Sequence, residues 1–121
     1  MNWSFDNDRP IYKQLVEQLE IAIITGIYKS GDKLPSVRDL ALETKVNPNT
    51  MQKALQALET LGLVNTQRTS GRYITNDQSL LDAVKQDMAQ QNVHSFLLGM
   101  RKLGITEEEA IAYIKREEDH K

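Results

Sequence analysis

Cysteine is absent from this 121-residue chain, which excludes disulfides, cysteine nucleophiles and thiolate metal sites. Histidine occurs twice, as His94 and His120, and neither has a second ligand at metal spacing. No apolar stretch approaches the ~20 residues that a membrane span needs. The opening MNWSFDNDRP lacks the basic and apolar regions of a secretory signal. A soluble cytoplasmic protein with no membrane partner is therefore expected. Only six glycines occur, and none builds a phosphate-binding loop, since Gly26 and Gly31 stand alone in turns. The run Glu107-Glu108-Glu109 falls in a first helical turn, where carboxylates favour the helix dipole. That accounts for it more simply than acid–base or metal chemistry. Neither an enzyme nor a cofactor is expected.

The composition that remains, 40% hydrophobic and 26% charged, is globular. A chain this long buries roughly two-thirds of its unfolded surface and needs no staples. The net charge of −2 is unevenly spread. Residues 1–75 hold nine Lys/Arg against eight Asp/Glu, and residues 76–121 hold six against nine. Between 33 and 72, six basic residues (Lys33, Arg38, Lys45, Lys53, Arg68, Arg72) face three acidic ones (Asp39, Glu43, Glu59). A mildly basic middle and an acidic tail are weak evidence by themselves.

The three prolines mark structure. Pro10 suits the first position of a helix, and Ile11, Leu15, Leu19, Ala22 and Ile23 then recur at a helical period. Gly26 to Pro35 reads as a connector. Ser36 with Asp39 resembles a capping box for a short helix ending near Thr44 or Lys45. Asn47 and Pro48 open another helix, with Met51, Ala54, Leu55, Leu58 and Leu61 inward and Asn49, Gln52, Lys53, Gln56 and Thr60 outward. Gly62 ends it. Leu63–Thr66 and Arg72–Thr75 are strand-like, and the polar turn Gln67–Gly71 between them predicts a hairpin. After a polar junction at Asn76–Ser79, a long helix is expected from about Ser79 to Leu103, with a kink or break at Gln90-Gln91-Asn92. Thr106 and Glu109 form a second capping box, before a last helix. Trp3 and Phe5 read as an apolar anchor rather than a base-stacking platform.

This order predicts a mainly α fold with a small β-hairpin. It is a winged helix-turn-helix in residues 1–76, followed by a short helical region in 77–121. The second helix of such a unit enters the major groove. Asn49, Thr50, Gln52 and Lys53 offer the amides, hydroxyl and cation that read base edges there. Arg68 at the wing tip suits a minor groove or a phosphate. A polar outer face is also simply what a solvated helix shows, so an interaction adaptor that binds no DNA is the alternative.

The runs Pro10–Leu15, Gly26–Tyr28 and Gly31–Ala41, with Val46–Leu55 and Leu58–Val64, resemble the GntR family of bacterial transcription regulators, particularly its YtrA-like subfamily. The resemblance spans about Pro10 to Ile74. It implies a homodimeric regulator, most often a repressor, on a two-fold symmetric double-stranded DNA operator. Carried over residue by residue, it implies DNA contacts from Ser36, Arg38, Asn47, Asn49, Thr50, Gln52, Lys53, Arg68 and Gly71; Lys33 and Ser70 are added to the expected DNA-binding set. One departure stands out: Thr69 replaces the first glycine of the usual Gly-x-Gly in the wing.

The tail is too small to enclose a cofactor pocket within one chain. An apolar stripe on a short helical pair wants a partner. Leu81, Val84, Met88, Phe96, Met100, Leu103, Ile111 and Ile114 are therefore expected to form a dimer interface, the alternative being packing against the winged helix. An unidentified small-molecule effector remains open as a further partner.

Overall fold

The computed structural model describes residues 2–67 and 70–120. Helix α1 (Ile11–Ile24) is followed by α2 (Val37–Thr44), α3 (Pro48–Thr60), strands β1 (Val64–Gln67) and β2 (Gly71–Ile74), then α4 (Gln78–Lys102) and α5 (Glu107–Asp119). This is the mainly α fold with a hairpin that the sequence predicts. Two compact units divide the chain at Ala83 and Val84. That division lies within α4, beyond the polar junction that the composition marks.

In the first unit α1 packs on α3, and Leu15, Leu19 and Ala22 of α1 with Met51, Ala54, Leu55 and Leu58 of α3 are all fully buried. Leu40, Leu34, Leu63, Val64 and Ile74 complete the core. Each fully buried leucine contributes about 1.5–3 kcal/mol, so this layer dominates the unit's stability. Pro10 takes ψ 130° and stands at the cap of α1, one residue before the helix proper. Side chains cap both α2 and α3: Ser36 Oγ accepts from Asp39 N at 3.1 Å, and Asn47 Oδ1 accepts from Asn49 N at 2.8 Å; of the box expected at Ser36 only this half forms, the Asp39 carboxylate making no return bond to Ser36 N. Between these helices Lys45 turns left-handed, with φ 59°, a conformation that non-glycine residues adopt at a cost of about 1–2 kcal/mol. The chain therefore reverses within three residues and sets α3 across α2. Gly62, at φ 82°, ends α3: its N–H bonds to Glu59 O, and that of Leu63 to Leu58 O.

The connector before α2 does more than connect. β1 and β2 pair antiparallel, with Val64 opposite Ile74 and Thr66 opposite Arg72. On its other edge β2 takes up the segment around Lys33, which bridges Tyr73. Leu34 N donates to Arg72 O and Ile74 N to Asp32 O, both at 2.9 Å. Gln14, buried in α1, holds the N-terminal segment, accepting from Asp6 N and donating to Asp6 O and Arg9 O. Trp3 stacks on Phe5 and donates from Nε1 to Glu43 on α2.

In the second unit, α4 runs as one continuous helix through Gln90-Gln91-Asn92, without the break that the sequence allows there. Those residues interrupt the apolar stripe, but glutamine is a good helix former and asparagine only slightly worse. Lost amphipathicity there marks exposure, not a break. Helix α5 opens on the predicted capping box, Thr106 Oγ1 accepting from Glu109 N and Glu109 Oε1 accepting from Thr106 N. No described helix is long and apolar enough to cross a membrane, and no described cluster of three acidic or histidine side chains could hold a metal.

Candidate nucleic-acid interface

A cleft of about 730 Å³ opens between the start of α2 and the hairpin, lined by Lys33, Pro35, Ser36, Arg38, Ser70, Gly71 and Arg72 among others. It brings together five of the residues that the sequence assigns to DNA: Lys33, Ser36, Arg38, Ser70 and Gly71. Local chemistry explains the gathering. The extended segment at Lys33 is zipped to β2, and Ser36 then starts α2 at the mouth of the cleft. Gly71 has φ 110°, and a Cβ there would stand 3.0 Å from Lys33 Cε. Only glycine accepts that backbone without strain while leaving room for the lysine stem. Lys33 and Arg38 are exposed, and neither makes an ion pair among the described residues. Glu43, a candidate partner for Arg38, instead accepts from Trp3 at 3.0 Å. The first turn of α2 adds free N–H groups and a positive helix end, which favour anions.

Helix α3 presents the rest. Asn47, Asn49 and Lys53 are exposed, and Thr50 and Gln52 are half-buried. At 3.6 residues per turn, Asn49 and Lys53 sit near the middle of the outer face, with Thr50 and Gln52 on opposite edges. Thr50 and Lys53 line a separate groove with Tyr12 of α1, Gln56 and Thr60, so they are not gathered into the α2–hairpin cleft. Arg68, and with it Thr69 in the place of the wing glycine, lies outside the described residues.

Arg72, which the sequence marks as a charge and a strand residue but not as a DNA contact, also lines the cleft. Its Nε donates to Glu59 Oε1 at 2.6 Å, and Thr66 Oγ1 donates to the same oxygen at 2.5 Å. The hydrogen bond from Thr66 and the Arg72 guanidinium hold the Glu59 carboxyl below its ordinary pKa, against a smaller opposing effect of burial. Nothing in the helical period links residues 59, 66 and 72. The one available signal was the hairpin register, which sets Thr66 opposite Arg72.

The second unit exposes an apolar face. Phe96, Leu103, Ile111 and Ile114 are all exposed, Leu103 to 74%, while Val84, Met88 and Met100 are half-buried. Phe96, Met100, Tyr113 and Ile114 line a groove of about 440 Å³ edged by Glu117 and Glu118. Leu81 departs from the expected stripe. It is 6% exposed and belongs to the first unit, where the start of α4 sets neighbouring Leu80 against Gly62. It is a core residue there and is not available as a dimer contact. His94 is exposed on α4, and His120 caps the end of α5.

Residues 11–74 match the family model described as bacterial regulatory proteins, gntR family. The chain is 37% identical over 115 residues to the HTH-type transcriptional regulator YhcF of Bacillus subtilis (strain 168), covering 95% of each chain. It is 37% identical over 107 residues to the HTH-type transcriptional repressor YtrA of the same organism, covering 88% of this chain and 82% of YtrA. Among solved structures, a GntR family transcriptional regulator from Listeria monocytogenes superposes with a TM-score of 0.87 at 43% identity, covering 93% of this chain and 98% of the other. A family model over more than half the chain, and near full-length relatives on both sequence and structure, place it: this chain belongs to the gntR family of bacterial regulatory proteins, as a YtrA-like transcription regulator with a winged helix-turn-helix DNA-binding domain.

Proposed function

We propose that the chain is a cytoplasmic homodimeric repressor that binds a two-fold symmetric operator, with residues 1–76 on DNA and residues 77–121 joining the subunits. The observation that carries the reading is the cleft between α2 and the hairpin where Lys33, Ser36, Arg38, Ser70 and Gly71 converge. Cations without acidic partners beside a helix N-terminus suit the sugar–phosphate backbone. Asn49 and Gln52 carry amides able to read adenine edges. The exposed apolar face of α4 and α5 supports dimerisation, because a two-fold axis lets one self-complementary patch cover itself. The repressor role follows the name of the YtrA relative.

Selection of duplexes from a random-sequence pool, followed by salt-dependent titration, tests the proposal. A specific operator should be recovered as an inverted repeat and bound about 10³–10⁷-fold tighter than random duplex. Weak, equal binding to every duplex, or none at low salt, would overturn it and favour the adaptor.

A further inference from the structure

Glu59 is a carboxylate at the edge of a surface built for phosphate, and on charge alone it opposes DNA binding. We infer that Glu59 and Arg72 are positioning residues for DNA recognition, their pair fixing the wing against the reading edge of α3. The inference rests on the DNA-binding reading above and adds a device to it.

Three contacts meet at this pair. Glu59 Oε1 accepts from Arg72 Nε at 2.6 Å and from Thr66 Oγ1 at 2.5 Å. Thr66 and Arg72 stand opposite each other across β1 and β2, so one carboxylate oxygen clamps both strands of the wing to α3. The backbone carbonyl of Arg72 accepts from Leu34 N at 2.9 Å, two residues before the Ser36 cap of α2. One residue therefore joins recognition helix, wing and the lead-in to α2. A two-stranded hairpin is marginally stable alone, so its direction must be imposed by what it touches. On α3, Glu59 follows Gln52 by seven residues, about two turns, and so shares its edge. The clamp thus sets the wing relative to the same edge that carries Gln52. The Arg72 and Glu59 side chains are 19% and 31% exposed, which screens the pair from water better than the surface pairs of Arg9.

Charge and position predict opposite signs, and this makes the test sharp. The full-length protein and Glu59→Ala are titrated against two probes, the duplex selected by the wild type and a random duplex of equal length. Glu59→Ala removes a negative charge and the clamp together. Positioning predicts about tenfold weaker binding to the selected duplex, the size of one misplaced contact. It also predicts unchanged or tighter binding to the random duplex, and loss of hydroxyl-radical protection at the outer flanks. Glu59→Gln keeps an acceptor oxygen and should recover most of the loss. Unchanged or tighter binding of Glu59→Ala to the selected duplex would overturn the inference, and so would equal losses on both probes. Should Glu59→Ala fail to fold, Thr66→Val decides. It removes one donor of the clamp and changes no charge, so positioning predicts a selective loss and a charge role predicts none. If the wild type selects no duplex, the DNA-binding reading falls and this inference falls with it.

Discussion

Arg38→Ala should leave stability level or slightly raised while lowering DNA affinity, a pairing that partial unfolding cannot mimic. Arg38 is the second residue of α2, exposed and without an ion pair among the described residues. A cation in a first helical turn opposes the helix dipole, at about 0.3–1 kcal/mol, and alanine is also the better helix former. Stability should therefore stay level or rise by up to about 1 kcal/mol, a few degrees in melting temperature for a unit of this size. On DNA the variant neutralises one phosphate fewer per subunit. The slope of log K against log salt should then fall by about 0.9 per subunit, or about 1.8 per dimer. Across a fourfold salt range, from about 50 to 200 mM, the wild-type and variant affinities should converge by about tenfold, since the log of four is about 0.6. The loss should be alike on selected and random duplexes, because a phosphate contact carries no sequence information. Fluorescence anisotropy across salt and a thermal melt measure both quantities. A variant that melts lower yet keeps the wild-type slope would refute the reasoning and leave Arg38 a structural residue.

The other expectations follow from single geometries. Gly71→Ala should cost about 1–3 kcal/mol, because φ 110° is strained for any L side chain; an unchanged denaturation midpoint would show that the wing relaxes freely. Lys33 meets the new Cβ only with its flexible stem, so the cost should lie in the backbone and persist in Lys33→Ala. Ile114→Asp should leave the helical content intact, since Ile114 is exposed in the single chain. Light scattering should then fall from twice 13.8 kDa to that single-chain mass, with operator affinity lost through lost bivalency. Glu59 contributes a pH dependence of known sign. Its folded-state pKa lies below the ordinary 4.5, so its stabilisation is fully present above 4.5 and is lost as pH falls through the folded value. The stability gap between wild type and Glu59→Gln should therefore narrow on acidification, as followed by urea melts at several pH values; a gap that widens would contradict the clamp.

The parts of this molecule that the sequence discloses are those whose cause is local. Ser36, Asn47 with Pro48, and Thr106 with Glu109 announce three helix starts, because a cap and the N–H groups it satisfies lie within three residues of each other. The outer face of α3 is legible for a similar reason, since period alone separates Asn49 and Lys53 from Leu55 and Leu58. Long-range relations are not encoded that way. The pairing of Lys33 with Tyr73 joins residues forty apart, and no spacing rule distinguishes such a segment from a loop. The burial of Leu81 was hidden because an apolar position on a long helix shows that it is covered, not by what. The clamp on Glu59 is the instructive case, because it was half visible. A turn at Gln67–Gly71 already places Thr66 opposite Arg72, two donors on one face of a hairpin that a single carboxylate can serve. Three acidic residues lie between 33 and 72, and the structure uses them differently. Asp39 is in the first turn of α2, Glu43 takes the Trp3 indole, and Glu59, in the last turn of α3, is the one at the root of the hairpin. A carboxylate two or three residues before the glycine that turns a helix into a strand is placed to meet what that strand's partner brings back. The pairing of Glu59 with Arg72 thus follows from chain geometry once the hairpin is drawn, although neither residue marks it alone.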